Sequence, residues 1–480
     1  MATAALLRLW LPWTIEFKAD EQEALNLGMR LLDERPWSSA NPWPRHGMLS
    51  SHGVGNAPLF SWIMALVWTL THHPVGATAV IALVNAVSLY PLWLWTKRRC
   101  GDATALLTLA VMAVSPFAVL FSRKLWAQDL LLPGLVVLLW GVEWLRERPW
   151  RGVTLLAVAA LLVGQLHQSG AIAMALLPLA IGVQVVADRW RDGQWPRLGK
   201  PSRREALALV AVLGLNAFFW IPYASYLFSV PTETFVHRPK MSSYSLSLLA
   251  ELEDQLVPRD LFYFFDRDDF MRDEVRRWLY QASCVFGAPL LVYGVWRWLR
   301  APLRIPVVGI WWWMIVVAFT LARIPTYPFY VLVLAPLPAL LAAGAFDGKR
   351  TRDWLAATLA LWRWTYVSLL ACLTVATYLW VARRGDGGGD FGVTFAVREA
   401  QARALLAIGN SAPAAIQGPV DGTAVADGDL GCQPLPIEVR WIVRSLDAHA
   451  NPPDTLRICD GFRREPTQRY YWTIRTVGER

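Results

Sequence analysis

Long apolar runs separated by short charged loops repeat along most of the chain. The runs at about 77–96, 103–122, 129–145, 152–168, 170–187, 205–226, 278–296, 305–323, 328–346 and 354–382 approach the roughly 20 residues that cross a hydrocarbon core. A stretch at 58–71, PLFSWIMALVWTLT, is apolar but short, a length that suits an interfacial or re-entrant segment. With a first helix before Asp20, the pattern predicts an all-α polytopic membrane protein of about 11 transmembrane helices with outer juxtamembrane helices. Residues 1–15 contain few apolar positions and Pro12. The expectation there is a short, tilted first helix or a start further upstream.

Charge orders these runs. Lys97, Arg98 and Arg99, then Arg146, Arg148 and Arg151, then Arg297, Arg300 and Arg304 mark three basic loops; 188–204 and 349–352 are two more. They fall at alternate connections, and cytoplasmic loops carry the excess of Lys and Arg. This places the first outer loop 16–76, the tight turns near 122–129, 168–170 and 323–327, the long outer loop 227–277 and everything past about 383 on the extracytoplasmic side of a cell inner (plasma) membrane. Laying 58–71 along the outer membrane face preserves the alternation; counting it as a span inverts every later loop.

Composition agrees: 55% of residues are hydrophobic and 17% charged, against about 45–50% and about 25% in soluble domains. A net charge of +9 raises the question of nucleic acid, but the cations sit in short loops between apolar runs, so none is expected as a partner.

The division expected is a transmembrane domain, 1–383, and a small C-terminal α/β extracytoplasmic domain, 384–480. The second opens with RRGDGGGD, a linker composition. Residues 391–407 read as an amphipathic helix; PIEVRWIVRSL and YYWTIRTV read as strands. Cys432 and Cys459 fall in this outward tail, where an oxidising compartment would let them pair as a disulfide.

Ionisable groups collect on the outer side. Asp20 and Glu21 follow the first apolar stretch, and FSRKLWAQDLL puts Arg123, Lys124 and Asp129 in one turn between two runs. QLHQSG puts His167 at another turn; VHRPK carries Arg238 and Lys240; ARIPTYPFY carries Tyr327 and Tyr330. Each has an ordinary reading. Acids suit helix N-termini, cations snorkel, and Tyr populates the membrane interface. Asp129 fits its ordinary reading least, because it begins an apolar run, where a carboxylate is costly unless it faces a cavity or a partner. Acids and fixed cations at a membrane surface suit glycosyl transfer from a lipid phosphate: a carboxylate deprotonates the acceptor hydroxyl and cations stabilise the departing phosphate. No His/Cys cluster with metal-ligand spacing and no GxxxxGK[ST] phosphate loop is present. A divalent cation stays open as a cofactor.

KADEQEALNLGMRLL, GNAPLFSWIMAL, FSRKLWAQDLLL and YPFYVLVLAPLPAL, in that order, resemble the motifs of the GT-C glycosyltransferase superfamily, in the branch of protein O-mannosyltransferases and lipid A aminoarabinose transferases. The resemblance covers about residues 5–345. It implies a polyprenyl-phosphate sugar donor, inversion at the anomeric carbon and an extracytoplasmic site open to membrane lipids. It also implies Asp20 as the catalytic carboxylate, Asp129 as the second-loop acid, and Arg123 and Lys124 near the donor phosphate. Glu21 then supports the loop, Arg238 and Lys240 reach the same phosphate, and His167, Tyr327 and Tyr330 line the substrate. The acceptor is an envelope glycan, a glycolipid or a protein. A transporter or flippase of lipid-linked glycans is the alternative from another class, and a lipid-linked glycan polymerase a third. Transporters of that kind show internal repeats and paired broken helices, and neither pattern is found in the sequence.

Overall fold

The computed structural model describes residues 1–33, 45–49, 54–192, 199–230, 258, 264–300, 306–321, 332–345, 353–387, 391–408, 416–417, 431–434, 437–446, 456–462 and 470–476. Arg238, Lys240, Tyr327 and Tyr330 lie outside them. The chain divides into two compact units.

The first unit comprises Met1–Leu9, Ala24–Asp260 and Arg277–Thr374. It holds α1 (Ala2–Leu9), most of α2 (Ala19–Asp33), α3 (Leu59–Thr71), α4 (Pro74–Cys100), α5 (Asp102–Val114), α6 (Pro116–Leu120), α7 (Leu131–Glu147), α8 (Pro149–Leu166), α9 (Gln168–Asp192) and α10 (Arg203–Ser229). Two short helices of the other unit follow in the chain, α11 (Arg267–Arg272) and the start of α12 (Glu274–Arg300). The first unit then takes the rest of α12, α13 (Pro306–Leu321), α14 (Leu337–Ala343) and α15 (Asp353–Arg384) as far as Thr374.

Seven helices, or parts of them, among the described residues are long and apolar enough to cross a membrane: Pro74–Cys100, Ala127–Glu147, Pro149–Leu166, Gln168–Trp190, Arg203–Ser229, Glu274–Arg300 and Ala356–Arg384. The chain is a multi-pass membrane protein. Leu59–Thr71, Asp102–Val114 and Val307–Leu321 are apolar but shorter. The run expected at 103–122 is two helices, not one. Pro116 has no N–H to donate and disfavours helical geometry at the residue before it; Ser115 accordingly adopts φ −58°, ψ 128°. The run at 328–346 is likewise no single helix among its described residues. Pro336 and Pro338 delay its start, leaving the seven residues of α14.

The break after α5 frees carbonyls, and burial requires that they be satisfied. Arg8, itself buried, donates to the carbonyls of Met112 at 2.8 Å and Ala113 at 3.1 Å. Thr374 Oγ1 donates to Val114 at 2.6 Å. Successive helices pack as antiparallel neighbours: α4 turns into α5 at Gly101, whose φ of +92° suits a residue without a Cβ, and α7 turns into α8 at Arg148. At Gly152 a Cβ would sit 2.6 Å from the Leu145 backbone nitrogen, so this helix pair closes only on glycine.

The second unit gathers Trp10–Glu23, Leu261–Arg276 and Val375–Arg480. Short backbone bridges tie these remote segments together. Phe395 N–H donates to Ile15 at 2.9 Å, Asp266 to Gly387 at 2.9 Å, and Phe391 to Phe264 at 3.0 Å. Phe17 meets Phe395 edge-on at 5.2 Å. Trp380 collects Phe265, Phe270 and the guanidiniums of Arg276 and Arg384. The amphipathic helix read at 391–407 is α16 (Phe395–Ile408). PIEVRWIVRSL is not a strand but a helix, α17 (Ile437–Leu446). Ile437, Val439 and Trp441 alternate like a strand, yet Val439, Ile442 and Val443 share a helical face, and all three are buried. YYWTIRTV does supply a strand. β1 (Ile416–Gln417), β2 (Gly431–Pro434), β3 (Leu456–Phe462) and β4 (Tyr470–Thr476) form an antiparallel sheet of order β1-β4-β3-β2. In it Cys432 stands directly opposite Cys459.

Candidate functional site

In the first unit the candidate residues lie on the link between α6 and α7. The chain leaves α6 in tight turns, with Ser122 N–H on the Val119 carbonyl at 3.2 Å and Arg123 N–H on Leu120 at 3.0 Å. It then enters a 3-10 turn, Ala127–Leu130, that runs straight into α7. Arg123, Lys124 and Asp129 are buried, at 3%, 1% and 2% exposure. The snorkelling reading of this Arg–Lys pair is therefore wrong here, because a snorkelling head group reaches water. The Lys124 ammonium lies 3.7 Å from the centre of the Trp126 ring and 5.8 Å from that of Phe121, a cation–π arrangement.

Asn85, inside the span of α4, holds this turn from below. Its Nδ2 donates to the Asp129 carbonyl at 2.8 Å and to its own helix at Ile81. Beside the pair lies a cavity of about 40 Å³. Asn85, Ser115, Gln128 and Asp129 give it a polar wall, while Phe117, Phe121 and residues of α5 and α14 close it. The helix break at Ser115 opens this space. Neither Asn85 nor Arg8 was among the residues picked from sequence; the available signal was a polar side chain within an apolar run or next to one.

His167 lies between α8 and α9 and is buried. Its Nδ1 accepts from the Ser169 backbone N–H at 3.2 Å and lies 2.8 Å from Ser169 Oγ. The side chain thus caps the start of α9. Burial pushes its pKa down to about 3, so the imidazole is neutral. Nearby, Gln168 donates to the Val54 carbonyl at 3.3 Å. The N–H and carbonyl of Gly55 are held by Tyr226 and Tyr223 at 2.9 and 3.1 Å. These contacts fix the segment leading into APLFSW and α3.

In the second unit Asp20 and Glu21 occupy the first turn of α2, where the helix dipole favours carboxylates. They differ sharply. Glu21 is fully buried and accepts from the Lys18 backbone N–H at 3.2 Å, which ties the carboxylate to the loop before the helix. Asp20 is half-buried. Glu16, unremarked in the sequence, is buried and paired with the Lys18 ammonium at 2.8 Å. Among the described residues no group of three or more His, Cys, Asp or Glu side chains comes together to hold a metal ion.

No protein-family model matches the chain, and no curated protein sequence does. Solved structures do. ArnT from Cupriavidus metallidurans in the apo state aligns over 85% of this chain and 79% of its own, with 15% identity and a TM-score of 0.50. The same protein bound to undecaprenyl phosphate aligns over 79% and 70%, with 16% identity and a TM-score of 0.49. An Archaeoglobus fulgidus oligosaccharyltransferase tethered to an acceptor peptide aligns over 86% of this chain and 57% of its own, with 14% identity and a TM-score of 0.41. At these identities the likeness to apo ArnT is one of fold, and the chain has the GT-C fold that its motifs resemble.

Proposed function

We propose that this GT-C-fold protein is a membrane glycosyltransferase that moves a sugar from a polyprenyl-phosphate donor to a hydroxyl-bearing envelope glycan, glycolipid or protein. The observation that carries the reading is the buried Arg123, Lys124 and Asp129 on one turn at the head of a membrane-length helix. Charges buried beside hydrocarbon are retained where they act on a partner, and fixed cations suit a leaving phosphate. The reaction runs at the extracytoplasmic face of the plasma membrane, with 384–480 as an extracytoplasmic domain.

The chemistry assigned is a single displacement. Asp20, half-buried, takes the proton from the acceptor hydroxyl while that oxygen attacks the anomeric carbon. The bond from the anomeric carbon to the phosphate oxygen breaks with its electron pair on the oxygen, and polyprenyl phosphate leaves. Attack from the opposite face inverts the configuration. Arg123 supplies a fork to two phosphate oxygens and Lys124 a point charge; Arg238 and Lys240 belong to the same phosphate site. Asp129 orients the donor, Glu21 fixes the loop that carries Asp20, and His167, Tyr327 and Tyr330 line the substrate. The ArnT structure with undecaprenyl phosphate names a lipid carrier of this donor class for that protein.

The test is mass spectrometry of envelope glycans and glycolipids from cells with and without the protein, with Asp20→Asn as a third arm. Loss of one sugar in both deficient arms is expected. Unchanged glycans and glycolipids in cells without the protein would reject the reading.

A further inference from the structure

An open apolar groove of about 680 Å³ runs between α4 and α7 in the first unit. Leu83, Val87 and Pro91 form one wall and Val136, Trp140 and Trp144 the other. Along α4 it extends from Leu83 to Leu94, about 16 Å at the helical rise. Both helices are long and apolar enough to span a membrane, so what fills the groove is hydrocarbon.

The polar groups that might have faced the groove are satisfied within the protein. Ser88 Oγ donates to the Asn85 carbonyl at 2.7 Å, and Trp140 Nε1 donates to the Pro91 carbonyl at 3.0 Å. The lining therefore offers a sugar or a head group no directed hydrogen bond from these side chains. It also contains no Gly or Ala, the residues that let a second helix approach closely. An alkyl chain fits where a helix does not.

The groove's position selects which chain. Leu132 lines the polar cavity at Asp129, and the next residue, Pro133, lines the groove. Asn85, which holds the Asp129 turn, is one helical turn from Ser88 on the groove wall. Polar cavity and apolar channel thus abut, the layout an amphiphile needs. We infer that the α4–α7 groove binds the isoprenoid chain of a polyprenyl phosphate, with its head at the Asp129 end. This rests on the donor class proposed above and adds where its tail runs.

The test uses the unmodified full chain in lipid nanodiscs and a long polyprenyl phosphate carrying a photoactivatable group in its isoprenoid chain. Crosslinks are expected within 83–94 and 133–144, competed by unlabelled polyprenyl phosphate and not by phosphatidylglycerol. In a second arm, Val87→Trp and Val136→Trp should each weaken the long-chain phosphate by at least about tenfold, because several buried methylenes are displaced. A short farnesyl phosphate should lose much less. Specific binding that maps to other helices overturns the groove and leaves the donor class standing. Equal competition by phosphatidylglycerol shows ordinary bilayer lipid and overturns the groove as well. No specific binding of polyprenyl phosphate anywhere overturns the groove and the donor class together.

Discussion

Asn85 donates a hydrogen bond from inside α4 to the backbone carbonyl of Asp129, across 2.8 Å and 44 positions of sequence. The bond sets the height of the 3-10 turn on which Asp129 stands. Asn85→Leu removes the donor and leaves a buried carbonyl unsatisfied, a cost of about 1–3 kcal/mol. The expected result is a lower unfolding temperature together with reduced transfer at saturating donor. Asn85→Gln, with the same amide on a longer arm, should recover less than half of the activity. Full activity in Asn85→Leu would mean that the turn is positioned by other contacts.

Asp20 and Glu21 should separate in assay. Asp20→Asn is expected to lower turnover by about 10²–10⁴, the usual worth of a general base, with yield and donor binding near normal. Glu21→Gln keeps an acceptor for Lys18 N–H and should act mainly through stability. Wild-type turnover in purified Asp20→Asn would move the base elsewhere.

For the leaving phosphate, Arg123→Ala should raise the donor KM more than Lys124→Ala does, with Arg123→Lys recovering only part of the loss, because Lys cannot reproduce a two-oxygen fork. Acceptor KM should hardly move. Since both cations are buried, yield and unfolding temperature must be measured beside the kinetics. Unchanged donor kinetics in both alanine variants would place the phosphate at other cations.

His167 gives a pH signature. Its folded pKa, about 3, is below the ordinary value of 6.5, so below pH 6.5 the unfolded chain binds the proton that the folded one refuses. Stability contributed here is complete above 6.5 and falls as pH drops from there toward 3. His167→Gln should flatten that part of the pH–stability curve. An unaltered slope would assign it to other groups.

The Cys432–Cys459 pair can be read by non-reducing peptide mapping. Directly opposed residues of an antiparallel pair have Cα atoms about 4.5–5.5 Å apart, within the usual disulfide span of about 4.4–6.8 Å. A crosslinked peptide is expected from protein taken from the native membrane. Two alkylatable thiols there would reject the bond.

Much of the helical framework was legible because membrane length and basic loops are local properties: the long runs from 77–96 through 354–382 reappear as spans at α4, α7 to α10, α12 and α15. What escaped depends on partners remote in sequence. Pro116 was visible within the run 103–122, but the break there stands because Arg8 and Thr374 satisfy the carbonyls it frees. PIEVRWIVRSL carries both periods, and the burial of Val439, Ile442 and Val443 decides for the helix. The site shows the same division. Its acids and cations were readable as residue types, but the burial of Arg123 and Lys124 and the hold of Asn85 on Asp129 arise only when α4 meets the α6–α7 link.

The Thr374–Val114 bond joins residues 260 positions apart. During synthesis the Val114 carbonyl must wait for α15 before this hydroxyl can reach it. At about 5–20 residues per second, that wait lasts on the order of tens of seconds. A nascent chain therefore carries the cavity-forming break beside Asp129 into the membrane unfinished, and its last long helix works as a closing pin. Chains stopped before residue 374 would leave that carbonyl exposed at the broken helix end, a mark by which quality control can tell an incomplete copy from a finished one.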